Sequence, residues 1–289
     1  MRTKSFLLIF TSIFIFSAVY ENIFAQEYLY VNSFGNFKNA TSFSITSAGI
    51  FYVTDSATNE VYKVDSLGNV LKDAGGYGWD NGLFDDPSDV FANVLSVFVC
   101  DKNNHRVERF DKDLNYISQL YTRENDDKNM RFGYPLGCAV SQQGDLYILD
   151  SENKRVIKFD LFGNYIQNFG GYDAGKFSLS NPAKLALSMN NNVYVIDKNK
   201  IITFDQYGNG LNIISMPQSL SGIQIVFNNL TVNSDTTIYF SNLGSSELNL
   251  AKLTLSGNDE LKEIISSLIF NNKLYVLTST KILVYQKMQ

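Results

Sequence analysis

The chain has 289 residues, 24 Lys and Arg against 29 Asp and Glu, a net charge of −5 and 14% aromatic residues dominated by Phe and Tyr. An acidic chain is poorly suited to nucleic acid, where neutralising phosphates supplies most of the affinity. A single histidine, His105, excludes a metal centre built on several imidazoles.

The first 25 residues read as a transport signal. Arg2 and Lys4 precede an apolar run from Phe6 to Val19, and a cleavage position follows Ala25. The run is shorter than the roughly 20 apolar residues of a membrane span, so export to a periplasmic or extracellular location is expected, with no membrane insertion. Residues 26–289 are then expected to form one domain.

After an opening strand-like segment, Glu27–Gly35, four stretches repeat one pattern. They are YVTDSATNEVYKVDSLGN, FVCDKNNHRVERFDKDLN, YILDSENKRVIKFDLFGN and YVIDKNKIITFDQYGN. Each is a short apolar strand ending in Asp, a polar turn, a second strand and a turn of the D-x-x-G-N type. The aspartates are Asp55, Asp101, Asp150 and Asp197, a period of about 45 to 50 residues, which suits a β-propeller blade of four antiparallel strands. Two weaker copies follow, one placing Asn242 and the other Thr278 at the Asp position. Six blades result, and the last lacks an outer strand. The segment at Glu27–Gly35 matches the outer-strand copy that ends near Gly170, so it should complete the last blade and close the ring, removing exposed edges.

The stretches Asp101–Asp111 and Asp150–Asp160, with the Gly-rich connectors GGYGWDNGLFDDPSDV and GGYDAGKFSLSNPAKL, resemble the NHL repeat. That resemblance implies an all-β six-bladed propeller and no single activity, since its relatives include recognition modules and enzymes.

The repeated aspartates read as turn caps, because four equivalent carboxylates around a ring fit architecture better than a catalytic pair. Arg106 and Arg155 recur at one position and suit pairing with carboxylates. His105 has no hydrolase motif around it and reads as a turn residue. Asp80, Asn81, Asp85, Asp86 and Asp89 offer hard oxygen ligands, so a divalent ion such as calcium is an alternative to turn capping, although the spacing is not that of a calcium loop. Otherwise no cofactor is expected. Cys100 and Cys138 lie in different blades, leaving open a disulfide or two small buried side chains.

Strand alternation puts the turns between second and third strands on the same face as the inter-blade connectors. That face gathers Tyr77, Trp79, Asp80, His105, Arg106, Arg123, Arg131, Tyr172 and Asp173 as candidate binding residues. The expected function is non-catalytic recognition of a protein, peptide or glycan by a monomer. The alternative is a metal-dependent enzyme, lactonase-like or lyase-like, with a divalent ion in the central channel.

Overall fold

The computed structural model describes residues 26–244, 248–258 and 261–288. The expected leader, 1–25, lies outside the described residues. Among those described, no helix is long and apolar enough to cross a membrane.

The chain forms a six-bladed β-propeller. Strand β1 (Glu27–Phe34) precedes blade 1, made of β2 (Ala40–Ile45), β3 (Phe51–Asp55), β4 (Glu60–Val64) and β5 (Val70–Gly75). Blade 2 holds β6 (Pro87–Ala92), β7 (Ser96–Asp101), β8 (Arg106–Asp111) and β9 (Tyr116–Tyr121). In blade 3 these are β10 (Pro135–Val140), β11 (Leu146–Asp150), β12 (Arg155–Phe159) and β13 (Tyr165–Phe169). Blade 4 has β14 (Pro182–Leu187), β15 (Val193–Asp197), β16 (Lys200–Phe204) and β17 (Gly210–Ser215). Blade 5 comprises β18 (Gly222–Val226), β19 (Asn229–Asn233), β20 (Ile238–Asn242) and a short β21 (Ala251–Lys252), with β22 (Thr254–Ser256) after it. Blade 6 contributes β23 (Ser266–Phe270), β24 (Lys273–Leu277) and β25 (Ile282–Lys287).

The ring closes as the sequence suggests. β1 runs antiparallel to β25, with Tyr28 opposite Lys287 and Phe34 opposite Ile282. It also pairs in parallel with β22, so the closing blade has five strands. Tyr28 and Tyr285 are buried at this seam, where burial pushes the Tyr28 phenol up to about 12.

Second strands such as β3, β11 and β15 are buried along their whole length, because each lies between two neighbouring blades. A strand buried on both faces needs a continuous apolar run, which is what FYVTD, LYILD and VYVID supply. Outer strands such as β5 are exposed on most residues.

The D-x-x-G-N turns have a common physical basis. Asp65 accepts N–H bonds from Leu67 and Asn69 and the Asn69 side-chain amide, and Gly68 sits at φ 91°. Asp111 and Asp160 repeat the scheme with Asn115 and Asn164. The Asn amide and backbone N–H donors hold these carboxyls below the usual range.

One register expectation is corrected. The segment around Asn242 is the third strand of blade 5, not the second; Asn233 ends the second strand, opposite Gly222, as Asp197 lies opposite Pro182. NLTVN carries no Asp, so the motif was read one strand late. In blade 6 Leu277 lies opposite Ser266, and Thr278 accepts N–H bonds from Thr280 and Lys281, capping the turn one residue later.

Candidate functional site

The aspartates that end the second strands are buried, and each reaches beyond its own turn to the incoming connector. Asp55 accepts the N–H groups of Lys38 and Asn39 from the incoming connector, and of Ala57 from its own turn. Asp101 accepts Asp85 N–H at 2.8 Å, Asp150 accepts Gly133 N–H at 3.2 Å, and Asp197 accepts Ser180 N–H at 3.1 Å. The carboxylate is therefore a latch between connector and blade. Sequence reasoning found the residue but saw only the turn half of its role, because the connector partner lies 16 or 17 positions away.

In blade 2 the latch is extended by Arg106, whose guanidinium is buried. Its Nε donates to Asp101 at 2.7 Å, Nη1 to the Trp79 carbonyl and Gln119, and Nη2 to the carbonyls of Asp80 and Leu83. Glu108 lies 3.1 Å from Nη2 and accepts Gly82 N–H. Burial pushes the Glu108 carboxyl up to about 7, against the pull of Arg106 and Gly82 N–H. Burial likewise raises Asp101 despite its donors. Arg106 is thus an internal tie with its donors committed. Arg155 repeats the tie in blade 3, holding Asp150 and the carbonyls of Asn129 and Arg131.

This tie presents the aromatic rim. Trp79 is 57% exposed, stands over the Arg106 guanidinium at 6.0 Å and meets Tyr121 edge-on at 6.4 Å. Tyr77 is exposed beside it. His105 (φ 55°) packs edge-on against Tyr134 at 4.2 Å, and its Nδ1 accepts Tyr134 N–H, which puts the ring proton on Nε2. Arg123 reaches His105 at 3.3 Å, lies over the Tyr134 ring and pairs through two bonds with Glu152. Burial, then the Arg123 charge, lowers the His105 pKa, while Glu152 pulls the other way. Tyr121, Tyr134 and Glu152 were not singled out in the sequence, since they carry no motif.

The other candidates divide. Asp80 is exposed, while its backbone carbonyl serves Arg106. Arg131 bonds the Asn125 carbonyl inside its own connector. Tyr172 and Asp173 are exposed one sector away, in the connector before blade 4. The acidic cluster does not assemble: Asp86 pairs with Lys102, Asp85 accepts from Asn103, and Asp89 turns inward.

On the ring axis the first strands enclose a cavity of about 220 Å³, reached by Ser44, Asp89, Cys138 and Gln224. Asp89 accepts Ser42 Oγ at 2.6 Å and Cys138 N–H at 3.1 Å, and lies 3.3 Å from Lys184 Nζ. Cys100 and Cys138 are buried free thiols, and their sulfurs and one Asp89 oxygen lie within 4.8 Å of one another. Burial, with Cys138 alongside, pushes the Cys100 thiol up. Two thiols and one carboxylate are not the all-oxygen donor set that calcium prefers.

Residues 132–159 match the NHL repeat. The chain carries an NHL repeat on a six-bladed propeller. It is 27% identical over 143 residues to the Protein brain tumor of Drosophila melanogaster, a stretch covering 48% of this chain and 13% of that protein. The chain therefore spans a small part of that relative's length. A streptogramin B lyase structure superposes with a TM-score of 0.61 at 11% identity, covering 89% of this chain and 97% of that one. A gluconolactonase from Xanthomonas campestris gives 0.64 at 14% identity, covering 88% of each. At such identities the likeness is one of fold.

Proposed function

We propose that this NHL-type propeller is a non-catalytic recognition module that engages a protein, peptide or glycan through the loop rim of blades 2 and 3. The observation carrying this reading is the exposed Trp79 seated on a buried, fully committed Arg106. A large aromatic side chain held on a rigid connector loses little freedom on binding, which favours it as an interaction hot spot. Tyr77, Tyr121 and Tyr134 extend the same rim, and Arg123 with Glu152 supplies polar recognition beside them. Among the residues lining the axial cavity, Asp89 is the only carboxylate, and Lys184 already pairs with it. That arrangement favours the rim over the channel as the working surface, although the structural neighbours include a lyase and a gluconolactonase.

Trp79 is the sole tryptophan, so its fluorescence reports the rim alone. Titration with peptide and glycan libraries should shift its emission, and Trp79→Ala should weaken the partner found by about tenfold or more. A partner bound equally well by Trp79→Ala would refute the rim assignment, as would substrate turnover abolished by Asp89→Asn.

A further inference from the structure

On the opposite face, where first-to-second and third-to-fourth turns emerge, three blades place an aromatic ring on the second strand beside a cation on the third. The pairs are Tyr52 with Lys63, Phe98 with Arg109, and Tyr147 with Lys158, each in direct cross-strand register. Two of the three cations have a carboxylate. Lys63 reaches Asp113, in the outer turn of the next blade, at 2.6 Å. Lys158 reaches Asp145, before its own second strand, at 2.8 Å.

Arg109 has neither acid. The position equivalent to Asp113 in the next blade is Phe162: Asp113 N–H bonds Asp111, and Phe162 N–H bonds Asp160 in the same turn geometry. The position equivalent to Asp145 is Ser96, whose Oγ accepts Arg109 Nε at 3.1 Å and Nη2 at 3.0 Å. Among the described residues no carboxylate pairs with Arg109, which lies half-buried 5.6 Å from the Phe98 ring. Asp160 is close by, but its oxygens are committed to the N–H groups of Phe162 and Asn164 and to the Asn164 amide. Where both acids are missing the blades leave a cavity of about 520 Å³, lined by Leu95, Phe98, Arg109, Leu120 and Phe162. That volume falls within the range of small-molecule sites, about 300–1,000 Å³. Phe162 is 80% exposed and Leu95 73% exposed at its mouth.

We propose that this groove between blades 2 and 3 binds a small carboxylic acid with an apolar body. The ligand's carboxylate takes the place held by Asp113 or Asp145 in the sister blades, accepting N–H bonds from Arg109. Its hydrocarbon part covers Leu95, Leu120 and Phe162. A half-buried cation lacking an acid gains more from a charged acceptor than a surface cation does, and guanidinium–carboxylate pairs are among the strongest hydrogen-bonded pairs. The site is separate from the loop rim and does not depend on it.

Calorimetric titration with octanoate, using 1-octanol as the uncharged counterpart, tests this. Octanoate should bind, with octanol at least about tenfold weaker, since hydrogen bonds to charged groups are worth enough for that ratio. Ser96→Asp rebuilds the sister-blade acid beside Arg109. It should reduce octanoate affinity by about tenfold or more while melting no lower than the wild type. Arg109→Gln should lose octanoate binding as well, and Ser96→Asp keeps the test valid if that variant misfolds. No octanoate binding by the wild type, equal binding of octanol, or unchanged octanoate affinity in Ser96→Asp would each overturn the proposal.

Discussion

Blades 2 and 5 solve one problem with opposite electrostatics. In blade 2 the latch between connector and sheet is charged: Asp101 opposite Arg106 in register, with Glu108 alongside, all buried. In blade 5 the equivalent residue is neutral Asn233, and Ile238 stands opposite it where blade 2 has Arg106. Asn233 donates to Ser221 Oγ and to the carbonyls of Ile264 and Ile265, and accepts from Ser267 Oγ. The neutral latch joins blade 5 to the entry of blade 6. The charged one gathers the connector carbonyls of Trp79, Asp80 and Leu83 around one guanidinium. A ring can therefore be latched without charge, and the extra ionic group in blade 2 has the effect of fixing a long aromatic connector.

The largest expected effect comes from breaking the charged latch. Asp101→Ala leaves Arg106 without its closest carboxylate partner in a buried setting, a loss of about 3–5 kcal/mol. Asn233→Ala removes neutral bonds and should cost about 1–3 kcal/mol. Denaturant melts of the two variants check the order, and equal losses would dissolve the distinction between blades.

The next effect is one of pH. Glu108 ionises near its ordinary 4.5 in the unfolded chain and near 7 in the fold. The folded state thus holds the proton through that interval. The contribution of Glu108 is full below pH 4.5 and is lost as pH rises toward 7. Melting temperatures of Glu108→Gln should fall less than those of the wild type between these limits, and parallel curves would contradict the assignment. At the small end, Lys63→Met removes a pair whose Asp113 is about half exposed, so its melting temperature should stay close to that of the wild type.

Much of this architecture was legible in the residues themselves. The apolar runs ending in Asp marked four blades, the D-x-x-G-N turns stood out because they close their hydrogen bonds within four positions, and the likeness of Glu27–Gly35 to the strand ending near Gly170 carried the ring closure. Blade 5 was misregistered because Asn233 does the work of the aspartate without the motif. Of the rim, Trp79, His105 and Arg123 were visible, and Arg106 read both as a partner for a carboxylate and as a binding residue; it is the former, paired with Asp101 and buried. Its burial depends on carbonyls 23 to 27 positions away, which no local pattern announces. The aromatic–cation pairs were equally hidden, because register across strands, not spacing along the chain, brings them together.

The Arg106 tie gathers the connector that carries Trp79 onto blade 2 and should hold it rigid. Amide hydrogen exchange across 76–86 in the free protein tests it most directly. Protection of Leu83 and Asp85 amides close to that of the blade 2 strands, collapsing in Arg106→Gln while blade 5 is unchanged, is the predicted result. Exchange there as fast as in an exposed turn of the wild-type protein would contradict it.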